Sequence, residues 1–317
     1  MIAEIVNMGQ PARDSIVDAI NELDADFIIL DLMAGLDPRV IDFTPQSNTG
    51  ILVFTPNHPA ATLSASDIAK AIIFRNLRNL FGPTSTLYRH FSGINPIEVN
   101  RMIDMAEDSY NRELANLDAL VIALHQRHPG HAFVNMIYHI VRRFQVYYVL
   151  NRFDGVENSY ETAIKPLVEN INDNISTRLT INNLGWILES DAYHQSNMRG
   201  IPYVLEQARR KVVPKKTKVD KRLEELYVLA GLKKGASTAP LETPGPSKQV
   251  ALSGQYEAMN SMYKARKQET VHQNLDYIVS SVQYGLQEKK ASEFGTPRIL
   301  KGEELVPRLL ARKARQK

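Results

Sequence analysis

The chain of 317 residues contains no cysteine. That absence removes disulfides, thiolate catalysis and Cys-type zinc sites together, and it fits a reducing compartment. No apolar run approaches the roughly 20 residues of a membrane span, and no charged region followed by an apolar signal core opens the chain. A soluble, unexported, cytoplasmic protein is the expectation. Also missing are Gly-x-Ser-x-Gly, His-Glu-x-x-His and the paired glycines of a dinucleotide fingerprint, which excludes the commonest hydrolase, zinc-peptidase and dehydrogenase signatures. None of the 16 glycines is followed by lysine. The glycine loop ending in Gly-Lys-Thr or Gly-Lys-Ser, whose backbone N–H groups cradle phosphate, is therefore absent.

What is present begins with 44% apolar residues, enough for the core of one large α/β domain or two smaller ones. The net charge of +3 conceals a division. Residues 1–204 hold 15 Lys+Arg against 23 Asp+Glu, a net of −8, and residues 205–317 hold 23 against 12, a net of +11. An acidic body carries a basic tail.

Along the first two hundred residues, strand-like and helix-like segments alternate. Ile2–Val6 reads as a strand. Asp14–Ala25 reads as a helix, with Ile16, Val17, Ile20 and Leu23 at helical spacing. FIILD (Phe27–Asp31) and GILVFTP (Gly50–Pro56) read as strands buried on both faces, and Ser64–Phe81 as a helix opened by a Ser64–Asp67 capping pattern. The stripe Ile72, Phe74, Leu77 and Leu80 reads as core packing. Helices are expected over about 96–127 and 130–143, a strand at Gln145–Asn151, a helix over 157–173 and a strand at Leu184–Leu188. Strands separated by helices imply parallel pairing, hence an α/β fold with a doubly wound, mainly parallel sheet. After about Gln207 the grammar changes. Boundaries are expected at 1–207 for the α/β domain, 208–252 for a basic linker with a short helix, and 253–317 for a helical, basic C-terminal extension. The Pro/Gly/Ser/Thr-rich stretch KKGASTAPLETPGPSK within the linker reads as disordered.

FIILDLMAGLD places an acid at the end of an apolar strand with Ala-Gly close behind, and in open α/β sheets ligands bind at such carboxyl ends. With ILVFTP, VLNRFDG and LGWILESDAYHQSNMRGIP following in order, the chain over residues 1–207 resembles the MinD/ParA group of P-loop ATPases, most closely the FlhG-like members that help place bacterial flagella and other polar structures. The resemblance implies a nucleotide-dependent switch in spatial organisation, with ATP and Mg²⁺ as cofactors. By it, Asp31 is the catalytic carboxylate that orients a water of the Mg²⁺ shell, and so an indirect metal contact. Gly35 is the backbone sensor of the terminal phosphate and Asn151 contacts the base. Asp191, within the loop from Glu189, and Pro202, in the turn from Gly200, wall the base. Met33 and Leu188-Glu189 depart from the family pattern. Because the phosphate loop is missing, the resemblance is to a P-loop fold incomplete at its N-terminal side, and ATP hydrolysis by this chain alone is not expected. The alternative is a non-catalytic interaction or scaffold protein that keeps the fold for partner binding.

His125, His128 and His131 stand three apart in HQRHPGH, but Pro129-Gly130 breaks any helix between them, so the run reads as a polar turn rather than a metal site. In the tail, Leu305, Val306, Leu309 and Leu310 form a small apolar side among Arg308, Arg312, Lys313 and Arg315. Such an end is either a solvated terminus or a contact for a partner protein, an anionic membrane surface or nucleic acid, with the partner protein favoured. A protein partner or homodimer is expected for the body.

Overall fold

The computed structural model describes residues 10–205, apart from 26, 38–40, 42 and 45–47, together with residues 248–290, apart from 267–269. The expected strand at Ile2–Val6, residues 208–247 of the expected 208–252 linker and the basic end beyond 290 lie outside the described residues, and residues 248–252 belong to a helix.

Three apolar runs make the sheet: β1 (Asn48–Phe54), β2 (Gln145–Phe153) and β3 (Thr180–Leu188). All pair in parallel, in the order β1-β2-β3. Parallel neighbours require long crossovers, and helices supply them. Helix α1 (Gln10–Glu22) precedes β1, and between β1 and β2 run α2 (Pro59–Phe81), α3 (Pro96–Glu107), α4 (Leu117–Arg127) and α5 (Ala132–Arg143). Between β2 and β3, α6 (Val156–Ser159) passes through a π-helical turn at Tyr160–Ile164 into α7 (Lys165–Asn174). After β3 come α8 (Asp191–Met198), then α9 (Lys248–Arg266) and α10 (Val271–Lys290).

The registers Leu52↔Tyr148, Phe54↔Leu150 and Leu150↔Trp186 place these side chains on one face of the sheet. All are buried, with α2 packed on β1 and α7 packed on α2. On α2, Ile72, Ile73, Phe74, Leu77, Leu80 and Phe81 are at most 2% exposed. Each such side chain contributes about 1.5–3 kcal/mol of burial free energy. Asp118, near the start of α4, accepts hydrogen bonds from Ser176 Oγ (2.6 Å), Thr177 N (2.8 Å) and Thr177 Oγ1 (2.7 Å). The approach to β3 is thereby fixed to the helical layer.

The α/β class and the parallel sheet are as the sequence implies, whereas the reversal of strand order that defines double winding does not occur among the described residues. Three local expectations are corrected. Residues 27–31 form no strand, and Phe27, Ile28, Ile29 and Leu30 are exposed rather than buried. An apolar run becomes a buried strand only where a neighbour offers a paired edge, and none of the described strands does so here. The helix expected from Ser64 begins at Pro59, whose fixed φ suits the first helical position, so Ser64 lies inside it. The stretch 96–127 is two helices. Asn111 Oδ1 accepts from the backbone of Glu113 and Leu114, and Asn116 Oδ1 caps α4 through Ala119 N at 3.0 Å.

Beyond β3, the helix-prone segment is seated on the body. Gly185 presents no side chain to α10, and a Cβ there would lie 2.9 Å from Ile278 Cγ1. On the other side of the strand, Tyr263 of α9 meets Trp186 and Phe153. Arg266, where α9 ends, lies with its guanidinium carbon 3.7 Å from the Tyr277 ring centre and 5.0 Å from that of Trp186. Helices α9 and α10 straddle β3 like the jaws of a clamp. None of the described helices is long and apolar enough to cross a membrane.

Candidate binding site at the carboxyl ends of the strands

Parallel strands deliver their carboxyl ends to one rim, and here that rim is polar. β1 runs out into Thr55, Pro56 and Asn57, β2 into Asp154 and Gly155, and β3 into Glu189, Ser190 and Asp191. Asn57 Nδ2 donates to Asp154 Oδ2 at 2.9 Å, linking the ends of β1 and β2. Asn158 Nδ2 donates both to Asn57 Oδ1 (2.9 Å) and to Asp154 Oδ2 (2.6 Å), and Ser159 Oγ reaches Asp154 Oδ1 at 3.3 Å. Slight burial works to raise the Asp154 pKa, but the hydrogen bonds from Asn57, Asn158 and Ser159 outweigh it and hold the carboxyl below its ordinary value.

Across the β2–β3 side, Arg152 Nε donates to Glu189 Oε1 at 3.1 Å, in an exposed ion pair. Arg152 has φ 58, the one non-glycine residue in the left-handed region among those described. Such a conformation costs about 1–3 kcal/mol and collects at functional turns. It swings the guanidinium off the line of β2 and toward β3.

No family model, curated protein or solved structure matches this chain. The site therefore rests on its own geometry.

That geometry brings together some of the residues singled out by the family resemblance and leaves others apart. Asn151 sits half-buried on β2, paired in register with Ile187 of β3, two residues before Glu189. Asp191 opens α8 from the end of β3 and is exposed. Pro202 lines a shallow, open depression of about 420 Å³, with Tyr193, Asn197, Tyr203 and Leu275, and neither Asn151 nor Asp191 lines it. Asp31 and Gly35 lie outside the sheet on the segment that forms no strand. Asp31 is exposed, and Gly35 has φ 106, a conformation that favours glycine.

At the rim, Asn57 and Asp154 are bonded to each other and to Asn158, and Arg152 is bonded to Glu189, so these groups are engaged among themselves. They do not suit the phosphates of a nucleotide. The only side-chain cation named among them is already paired to a carboxylate, and Asp31 is exposed on a segment that forms no strand. Among the described residues there is no group of three or more His, Cys, Asp or Glu that could hold a metal ion. His131 instead caps α5, its Nδ1 accepting from Phe133 N at 3.2 Å, and His128 ends α4.

The network on Asp154 escapes a sequence reading because its members are 97 and 101 residues apart along the chain. The Asp-Gly pair that follows β2 is the one local signal of a turn there.

Proposed function

We propose that this chain is a non-catalytic interaction protein of MinD/ParA-like architecture, a scaffold or regulator that acts by binding. One observation carries the reading: the rim offers paired and networked hydrogen-bonding groups, while the acid expected to organise Mg²⁺ stands exposed on a segment outside the sheet. Electrostatic positioning of the terminal phosphate supplies most of the catalysis of phosphoryl transfer; the sequence has no Gly-Lys loop, and Asp31 is not at a strand end to assist it. A cytoplasmic role in spatial organisation, with a protein partner, follows from the same resemblance.

Phosphate release from Mg-ATP by the purified full chain is the test, and release at the buffer rate is expected. Turnover that disappears in Asp31→Ala overturns the proposal and restores an ATPase. A second reading, a nucleotide-responsive switch without turnover, is favoured by Asn151 and Asp191 standing at neighbouring strand ends. It predicts binding of a fluorescent adenine nucleotide that weakens at least about tenfold in Asn151→Ala, about 1.4 kcal/mol, with the melting temperature unchanged.

A further inference from the structure

The run HQRHPGH serves the fold as a joint between two helices. Helix α4 ends at Arg127 with His128 as its C-cap, Gly130 turns the chain back at φ 71, and His131 opens α5. His131 N donates to the carbonyl of His128 at 3.2 Å and closes the turn. The half-buried His131 ring then makes two contacts at once. Its Nδ1 accepts from Phe133 N at 3.2 Å, capping α5, and its Nε2 lies 3.2 Å from the carbonyl oxygen of Ser92. Phe91, beside Ser92, has its ring centre 5.9 Å from that of His131. One imidazole thus ties the start of α5 to the loop that follows the 3-10 turn Thr86–His90.

These contacts fix the state of the ring. A nitrogen that accepts from an amide carries no proton, so Nδ1 is bare, and the one proton of the neutral ring sits on Nε2, where it donates to Ser92. An imidazolium has a donor at each nitrogen and no acceptor. Its Nδ1–H would meet the N–H of Phe133, and its charge would stand at the positive end of the α5 dipole. The neighbouring elements do not offset that charge. α4 brings His125, Arg127 and His128, the last with its ring centre 6.2 Å away, and the 3-10 turn brings Arg89 and His90. Glu98 of α3 is paired with Arg127, and among the described residues no carboxylate pairs with His131. Helices usually take Ser, Thr, Asp or Asn as the N-cap, side chains that still accept near neutral and mildly acid pH. Helices α3 and α4 follow that rule with Asn95 and Asn116, whereas α5 is held by the one capping side chain that loses its acceptor on gaining a proton.

We propose that His131 is a pH-sensitive joint: the neutral ring locks the start of α5 to the Phe91–Ser92 loop, and protonation of Nδ1 unlocks it. The inference does not depend on how the strand-end rim is read.

The test follows the full chain by NMR from about pH 8 to about pH 5, across the ordinary histidine range. The Phe133 amide resonance should move together with the His131 ring, and its hydrogen-exchange protection, corrected for the intrinsic rate, should fall at least about fivefold as the cap is lost. His131→Asn supplies an amide oxygen that caps at both pH values, so Phe133 should stay protected throughout. The melting temperature of that variant should gain about 2–4 °C on the parent between the two pH values. His128→Asn removes the neighbouring ring and should leave the Phe133 response in place. Three results overturn the proposal: Phe133 protection that is unchanged while the His131 ring titrates, a melting difference between parent and His131→Asn that is the same at both pH values, or a Phe133 response that disappears in His128→Asn. The last would make His128 the titrating group.

Discussion

Replacing Gly185 by alanine probes how closely α10 is seated on the sheet. Gly185 has φ 138, a backbone conformation that L side chains rarely adopt, and forcing one into it costs about 1–3 kcal/mol. The added methyl would also lie 2.9 Å from Ile278 Cγ1 and 3.3 Å from Tyr277 Cδ1. Ile278 is branched at Cβ, so Cγ1 cannot swing aside without turning χ1, and the helix must lift instead. Overpacking of this kind costs about 1–3 kcal/mol. Together the two effects amount to about 3 kcal/mol, which lowers the melting temperature by about 6–12 °C in a body of this size. Trp186, the sole tryptophan, lies on the neighbouring position of β3 and reports the transition by its fluorescence. Adding Ile278→Ala should relieve the steric part while the backbone part persists, so the doubly substituted chain should be less destabilised than the two single effects summed. A Gly185→Ala chain that melts within about 1 °C of the parent, or strict additivity with Ile278→Ala, refutes the close approach of α10 to β3.

Arg266→Ala should cost about 1–3 kcal/mol and shift Trp186 emission to longer wavelength, because Arg266, whose guanidinium stacks on Tyr277 and Trp186, is only 6% exposed; equilibrium unfolding and emission spectra check both. For Asp154, the depressed pKa means that its stabilising contribution is complete above the ordinary carboxylate range and is lost as pH falls through the folded value. An NMR titration should therefore place its midpoint below the ordinary aspartate value, and Asn57→Leu should raise that midpoint; a parent midpoint at or above the ordinary value contradicts the network. Asp31→Ala, at an exposed position outside every described strand, should change urea-derived stability by less than about 0.5 kcal/mol.

The sheet was legible where apolar runs could be weighed by length and bounded by turn residues: GILVF, QVYYVLN and LGWIL all lie within observed strands. FIILD satisfied the same criteria and forms none. Composition reports that a segment can be buried; whether a neighbouring edge awaits it is a property of the whole chain. The break between α3 and α4 was written in Asn111 and Asn116, whose side chains compete for backbone N–H groups, but a continuous apolar period masks such local competition. At the site, Asn151 and Asp191 were singled out by resemblance, and the structure places them on β2 and at the start of α8. Asp154 with Asn57, and the seating of α10 on Gly185, depend on contacts about a hundred residues apart, and no window of sequence contains both partners.

The clamp that α9 and α10 form on β3 has a consequence for how this protein can polymerise. A building block grows into a filament only if it is bifunctional, with a reactive end on each side, whereas a block with one blocked end acts as its own chain terminator. With Tyr263 on one face of β3, Ile278 on the other and Arg266 stacked on both Trp186 and Tyr277, a strand can add at β3 only after α9 or α10 lifts away. The clamp is therefore a terminator on this side of the sheet, and loosening it, as by Gly185→Ala, removes that stop.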